Sequence, residues 1–383
     1  MMRELKPEGS LPNTSEPREW GETPWRINFK SAQGPLPSEV DVAIIGAGFT
    51  GLSAAACLRH LNPNISVAVF EACTVGSGSS GHTGGLALAE TAAGDLPGLG
   101  DVLAGFASIL SELEISADLK LTGVWELSRS ESGSMISPIS WTDSGELRAV
   151  HGVPGGTIDP GKLISGLACA AARTGARIFE HTRVERLIFG DPVLLTVSGA
   201  QVIAKQVLIA TNAQSLELGG LTGIAQPKFT LALATEPLSA AQIGTLGLAS
   251  GKPFYTVDLP YLWGRVDGGT LVFGSGLVHL NDWRELLSLN VYRGKAAELL
   301  SDLSRRVHAL HPVLKGVRLT HRWGGPILIA DHWRPVFRRH WQSCRAIVLA
   351  AYSGHGVALS VYLGRWAAEA ILGRRDLPEW PGE

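Results

Sequence analysis

Hydrophobic residues in this chain fall into two kinds of run. Some are short, unbroken and bounded by Gly, Asn, Asp or Pro, the mark of buried strands. Others recur at three- and four-residue spacing, the mark of one helix face. The first unbroken run covers residues 42–45 (VAII). A glycine turn follows, then an Ala-rich helical stretch over 52–61, then a second apolar run over 65–70 that stops at Glu71. Val102, Leu103, Phe106, Ile109, Leu110 and Leu113 form a helical stripe within 101–116, and 119–127 alternates as a strand. Pro160 stands near the start of a helix over 161–174. Short strands over 177–179 and 184–187 precede a hairpin, 194–197 with 201–209, which ends in the small polar turn Ala210-Thr211-Asn212-Ala213.

From Lys228 the pattern changes. Residues 229–235, 254–257, 261–266 and 270–274 read as strands separated by turns. Leu299, Leu300, Leu303, Val307 and Leu310 mark an amphipathic helix over 291–310, and 317–323 is another strand. This block reads as a second, mostly antiparallel domain. Strand, glycine turn and helix then recur over 346–350, 351–356 and 357–372, which returns the chain to the first domain. The class is α/β, with an α+β second domain.

The candidate chemistry starts at Gly46-Ala47-Gly48-Phe49-Thr50-Gly51, which fits G-x-G-x-x-G between strand and helix. Gly46 permits the tight turn, Gly48 lets backbone approach a pyrophosphate, and Gly51 lets helix and strand pack closely. The helix N-terminus offers free N–H groups to phosphate. Glu71 closes the second strand at the place where an acid accepts ribose hydroxyls. A glycine turn alone is weak; the whole unit points to a dinucleotide. The acid would repel a 2′-phosphate, which favours FAD or NAD over NADP. Residues 74–85 (TVGSGSSGHTGG) form a Gly/Ser-rich loop, either a flexible linker or a second cofactor-cradling segment.

Composition changes little in this picture. The chain has 383 residues, enough for two domains, and a formal net charge of −2, which gives no electrostatic case for nucleic acid. Cys57, Cys73, Cys169 and Cys344 have no metal-ligand spacing, so no metal is expected, and reduced thiols suit a cytoplasmic protein. Residues 1–20 lack the apolar stretch of a secretory signal, and no apolar run is long enough to span a membrane. A polar, Pro-rich arm is expected over residues 1–38, with Trp20 and Trp25 as its anchors or as ordinary surface residues.

Several motifs together carry a resemblance: DVAIIGAGFTGL at 41–52, GSSGHTGG at 78–85, ATNA at 210–213, RWGGP at 322–326 and YSGHGVAL at 352–359. The chain resembles the D-amino-acid-oxidase-like FAD-dependent oxidoreductases, most of all the gamma-glutamylputrescine oxidoreductase group. The resemblance implies FAD in a glutathione-reductase-like architecture. The FAD-binding domain would be discontinuous, over 39–90, 150–225 and 340–383, and the substrate domain would comprise 91–149 and 226–339. Gly46, Ala47, Gly48, Phe49, Thr50 and Gly51 would lie at the pyrophosphate, and Glu71 with Ala72 at the adenosine ribose. Ser79, Ser80, His82, Thr83, Gly84 and Gly85 would run along the pyrophosphate and flavin. Val184 would offer backbone to the adenine. Thr211 and Asn212 would approach the cofactor, and Ser353, Gly354, His355, Gly356 and Val357 would surround the flavin pyrimidine edge.

The implied reaction is oxidation of a C–N bond of an amine or amino acid, by hydride loss to flavin N5 and hydrolysis of the imine. The electron acceptor would be oxygen or a carrier. A dehydrogenase of the same fold and a flavin-binding partner without turnover are the alternatives. Amino-acid-specific members hold the substrate carboxylate with an Arg shortly after the Trp-Gly segment; here Pro326 and Ile327 stand there, leaving Arg265 or Arg334. Sarcosine-oxidase-like relatives carry an oxygen-activating Lys where Val272 stands. His82 matches either a phosphate-contacting residue or, as in dimethylglycine-dehydrogenase-like relatives, a covalent flavin attachment. Tyr352, His355, Trp323 and Arg265 are the expected substrate-positioning residues. Tyr255, Tyr261, Trp263, Trp323 and Tyr352 would make an aromatic pocket, which suits an amine or its cation.

Overall fold

The structure, a computed structural model, describes residues 18–32, 34–130 and 136–380. Residues 1–17 of the expected arm lie outside them. In chain order the first strands are β1 (Glu39–Ile45), β2 (Val67–Phe70), β3 (Leu86–Leu88), β4 (Val124–Ser128), β5 (Ser140–Thr142) and β6 (Glu146–Val153). Next come β7 (Gly155–Thr157), β8 (Arg177–Phe179), β9 (Val184–Ile188), β10 (Val193–Val197), β11 (Ala200–Ile209) and β12 (Ala225–Thr235). The last are β13 (Phe254–Thr256), β14 (Trp263–Asp267), β15 (Thr270–His279), β16 (Leu319–Ala330), β17 (Val336–His340) and β18 (Ser343–Ala350). The helices are α1 (Phe49–Leu61), α2 (Val102–Glu112), α3 (Pro160–Arg173), α4 (Ala240–Thr245), α5 (Gly294–Leu310) and α6 (Gly356–Ile371).

The first sheet has a parallel centre in the order β18-β11-β1-β2-β8, with β17 added antiparallel at one edge. Its strands are buried on both faces, which is why they read as unbroken apolar runs. Val42 and Ile44 of β1 face a core shared with α1, α2, α3 and α6. Ala43 and Ile45 face the opposite core, shared with β10, β12 and the start of α5. The second sheet runs β16-β12-β15-β14-β13-β4-β6-β5 and is antiparallel except where β13 meets β4. Trp141, Phe254 and Phe273 pack edge-to-face between that sheet and α5. The first sheet's carboxyl ends thus look toward β12, β15 and β16.

Three elements cross the expected domain boundaries. α2 belongs with the helices of the first sheet, because Gly105 lets it lie against Tyr362 of α6, whose hydroxyl donates to Leu99 O at 2.7 Å. β17 pairs with β18 rather than with the second sheet. β6 crosses residue 150 and lies wholly in the second sheet. β16 also runs further than the sequence suggests. It is an edge strand, so Pro326, set opposite Phe229, need not donate to a neighbour.

Candidate cofactor and substrate site

The carboxyl end of β1 opens into the glycine turn. Gly46 has φ +104°, and a Cβ there would lie 2.7 Å from Ala210 O. A Cβ on Gly51 would lie 2.0 Å from Gly46 O, so only glycine lets α1 start this close to β1. Ser80 Oγ accepts the Phe49 N–H at 2.9 Å, which ties the second Gly/Ser-rich loop to the N-terminus of α1. The Glu71 carboxylate accepts N–H groups from Ala47 and Cys73, each at 2.9 Å. Burial raises the Glu71 pKa, while those two bonds and the charge of Arg18 oppose the rise.

Asn212 links the distant pieces. Its Nδ2 donates to Ser79 Oγ at 3.1 Å, and its Oδ1 accepts the Ala351 N–H at 2.9 Å. It holds the left-handed φ of +48° that Asn tolerates better than most residues. The Tyr352 hydroxyl reaches Thr50 Oγ1 at 2.7 Å. Four segments, around Thr50, Ser79, Asn212 and Tyr352, therefore meet at one place.

They enclose one side of a cavity of about 980 Å³. Its other side comes from the second sheet: Tyr255 of β13, Trp263 of β14, Gly276 and His279 of β15, and Ile327 of β16, with Leu259, Tyr261 and Trp333 at the rim. The Trp263 indole occupies the space that a Cβ on Gly84 or Gly274 would need, at 2.1 and 2.0 Å. Those two glycines let an aromatic plate lie directly against the cradle.

Residues 41–370, which include this cradle, match the model of a family described as FAD dependent oxidoreductase, DAO. The chain belongs to this family. It is 25% identical to the Probable oxidoreductase OrdL of Rhizobium meliloti, with 91% of this chain and 89% of that protein aligned. It is also 25% identical to the Gamma-glutamylputrescine oxidoreductase of Escherichia coli, over 89% and 87% of the two chains. The fold is shared with L-proline dehydrogenase from P. horikoshii, at TM-score 0.71 and 20% identity over 90% of this chain and 96% of that one. Glycine oxidase from Geobacillus kaustophilus shares it at TM-score 0.68 and 20% identity over 88% and 96%. As an FAD-dependent oxidoreductase, the chain takes FAD as its cofactor.

The cavity fits that group. Thr211 Oγ1 and Ser360 Oγ are buried in its wall with no protein partner, and a polar ligand would satisfy both. The glycine turn leaves room for a pyrophosphate, and the volume stands at the upper end for small-molecule sites. Among the described residues no cluster of metal-ligating side chains exists, and no helix is long and apolar enough to cross a membrane.

Most expected cofactor residues line the cavity: Gly46, Gly48, Phe49, Thr50, Glu71, Ala72, Ser79, Ser80, His82, Thr83, Gly84, Val184, Thr211, Asn212 and the run from Ser353 to Val357. Ala47, Gly51 and Gly85 stand behind the wall. Ala47 spends its N–H on Glu71, and Gly51 and Gly85 lie against the backbone of Gly46 and Ile158.

Two substrate-positioning expectations need correction. The Arg265 side chain is buried; its guanidinium donates to Ile158 O at 2.9 Å and to Asp267 at 2.8 Å and does not line the cavity. Trp323 is fully buried behind the wall, where its indole donates to His82 O at 3.1 Å. Arg334 is not a lining residue either, although its neighbour Trp333 is. Tyr352 and His355 do line the cavity.

His82 Nδ1 lies 2.8 Å from Gly78 O, and a carbonyl only accepts, so Nδ1 carries the proton. Burial lowers the pKa of His82 and of His355, which keeps both rings neutral near pH 7. Leu259, Leu277, His279, Trp333, Arg183 and Gln214 also line the cavity without having been singled out from the sequence. Arg183 precedes Val184, the residue matched to the adenine, and that neighbourhood was its one signal.

Proposed function

We propose that this FAD-dependent enzyme oxidises the C–N bond of an amine whose reacting carbon bears no carboxylate. The carrying observation is the charge distribution in the cavity. Among the described lining residues, Glu71 and Arg183 are the only Asp, Glu, Lys or Arg side chains. Both belong to the nucleotide end, where the Thr182 N–H donates to Glu71 O at 2.7 Å. The opposite end is walled by Tyr255, Leu259, Tyr261, Trp263, Leu277 and Trp333. An α-carboxylate entering there would be desolvated with no Arg or Lys partner, a costly arrangement. The similarity to Escherichia coli gamma-glutamylputrescine oxidoreductase, named for a polyamine derivative, supports the same reading.

The aromatic walls do the chain's share of the work. They bury the alkyl part of an amine and exclude water from it. They also disfavour a fully desolvated ammonium, so the substrate sheds its proton to solvent as it seats. With His82 and His355 neutral, no buried imidazolium repels the entering amine. Bound FAD would supply the two-electron oxidation of the C–N bond, held by the glycine turn, the 78–85 loop and the run from Ser353 to Val357. The nitrogen loses a proton, and water hydrolyses the resulting imine.

Anaerobic titration of the yellow enzyme tests the reading. A panel of diamines, N-methyl amines and α-amino acids of both hands is added while flavin absorbance is followed. Bleaching by amines without an α-carboxylate is expected. Bleaching by α-amino acids alone would overturn it.

A second feature bears on the electron acceptor. Val272, in the place of the oxygen-activating Lys of sarcosine-oxidase-like relatives, is fully buried among Trp25, Ala232, Ala234 and Trp323. That favours a carrier over oxygen.

A further inference from the structure

We propose that residues 18–25, which precede the span matched by the family, form a strap that is part of the FAD site, with Trp25, Trp20 and Arg18 as positioning residues. The inference rests on FAD binding alone and is independent of which substrate is oxidised.

The turn Ser79–His82 carries the cradle's serines and His82 and lies against β16, where a Cβ on Gly325 would sit 2.6 Å from the His82 Cβ. Two indoles hold its carbonyls. Trp25 Nε1 donates to Gly81 O at 2.7 Å, and Trp323 Nε1 donates to the next carbonyl, His82 O, at 3.1 Å. The two rings meet edge-on, with centroids 5.3 Å apart. Because a trans peptide is planar, pinning His82 O on the buried side turns the Thr83 N–H toward the cavity that Thr83 lines. The carbonyl pins thus decide that a backbone donor faces the cofactor.

Trp20 secures the same turn from the other side. Its ring stands edge-on to His82 at 5.3 Å and to Phe229 at 5.5 Å, and its Nε1 donates to Leu286 O at 2.9 Å. Its carbonyl accepts the Gly324 N–H at 2.8 Å, so the strap adds a short bridge to the edge of β16. Gly21 is required for that approach: it has φ +83°, and a Cβ there would sit 2.1 Å from Arg322 O. Arg18 extends the strap to the nucleotide end. It stacks over Trp20 at 4.6 Å and donates to Ser77 O at 3.2 Å and Gln214 Oε1 at 3.1 Å, both residues of the cavity wall. Its charge also favours the ionised form of the buried Glu71.

The test uses full-length holoenzyme carrying Trp25→Phe, Trp20→Phe or Arg18→Gln. FAD release is followed by the rise of free-flavin fluorescence on dilution, and bound flavin by its visible spectrum. Trp380→Phe is the control, because it removes a comparable indole bond, to Pro97 O at 3.1 Å, away from the cavity. Each strap variant is expected to hold FAD roughly three- to tenfold more weakly, with Trp380→Phe matching the parent. Equal retention in all four proteins, or equal loss in the control, would overturn the proposal. Arg18→Gln changes a partly exposed residue and carries the same criterion if a Trp variant fails to fold.

Discussion

The Tyr352 and Thr50 hydroxyls stand 2.7 Å apart and join the turn before α6 to the first turn of α1. Burial raises the Tyr352 pKa far above the ordinary tyrosine value, and the bond to Thr50 only partly offsets the rise. The phenol therefore stays protonated through the working pH range and serves as a tie, not as a base. Tyr352→Phe should lower stability by about 1 kcal/mol, the size of one buried hydrogen bond. It should leave the pH profile of flavin reduction unchanged. Denaturant melts and anaerobic stopped-flow at several pH values check both outcomes, and a lost alkaline limb would count against the tie.

His340 predicts an acid-sensitive fold. The ring is stacked on Phe189 with centroids 4.2 Å apart, and Nδ1 accepts the Gln342 N–H at 3.2 Å. The proton of the neutral ring is therefore on Nε2, which is buried without a partner. Burial, helped by Arg338, lowers the pKa to about 4. Between that value and the unfolded value of about 6.5 the unfolded chain binds a proton that the native chain does not. Stability is thus full above about 6.5 and falls as pH drops toward about 4. His340→Phe should flatten this part of the stability curve and cost little at neutral pH, since it also removes an unpaired polar atom. Urea melts at pH 7 and pH 5 measure it; a parent-like slope in the variant would refute it.

The rim loop that carries Leu259 and Tyr261 is gripped by two guanidinium groups around one buried carboxylate. Arg306 donates to Pro260 O at 2.7 Å, to Tyr261 O at 2.9 Å and to Asp143. Arg129 donates to Pro260 O at 2.9 Å and pairs with both Asp143 and Asp258. Burial alone would raise the Asp143 pKa, but the bonds from Arg306 and Arg129 outweigh it and hold it below the usual carboxylate value. Arg306→Ala should cost about 2 kcal/mol of stability and raise KM roughly tenfold by freeing a wall of the substrate end. FAD retention should stay at the parent level. A fall in flavin content with KM unchanged would mean the clamp serves the cofactor end instead.

The cofactor half of the site was legible because its demands are local. Gly46, Gly51 and the 78–85 loop are fixed by what backbone must do within a few residues, and such constraints leave a signature. The clamp was not legible: Arg129 follows β4, Asp143 follows β5 and Arg306 lies on α5, three places that only the tertiary fold brings together. Arg265 misled for the same reason, since its partners Ile158 and Asp267 are chosen by the register of β14 and by the approach of the segment before α3. β17 went unread as a strand, and most of it fell within the expected substrate-domain span, because Pro335 and its Arg-rich sequence hide an edge strand. Trp20 and Trp25 read equally well as surface anchors, and only their carbonyl partners show what they hold.

If FAD is released intact by denaturation, His82 carries no covalent bond to it. The geometry favours that outcome, since Nδ1 is engaged by Gly78 O and the ring is wedged edge-on against Trp20. Acid precipitation should leave a colourless pellet and all the flavin in the supernatant. A yellow pellet that turns colourless in His82→Ala would establish the covalent alternative.

Reduced enzyme should react slowly with air. Oxygen reduction builds negative charge, and it is fastest where a fixed cation waits for that charge. Val272 is packed among Trp25, Trp323 and two alanines, where no ammonium stands, and His82 and His355 are held neutral by burial. Arg183, the one Arg among the described lining residues, belongs to the nucleotide end. A quinone or dye of higher potential needs no such cation, because it accepts electrons without a charge-localised intermediate. In stopped-flow, amine-reduced enzyme should regain its flavin absorbance at least about a hundredfold faster with a dye acceptor than in air-saturated buffer, which corresponds to about 3 kcal/mol of barrier. Comparable rates with both would show that oxygen finds another cation, and His355 protonated in the reduced enzyme would then be the first group to examine by pH.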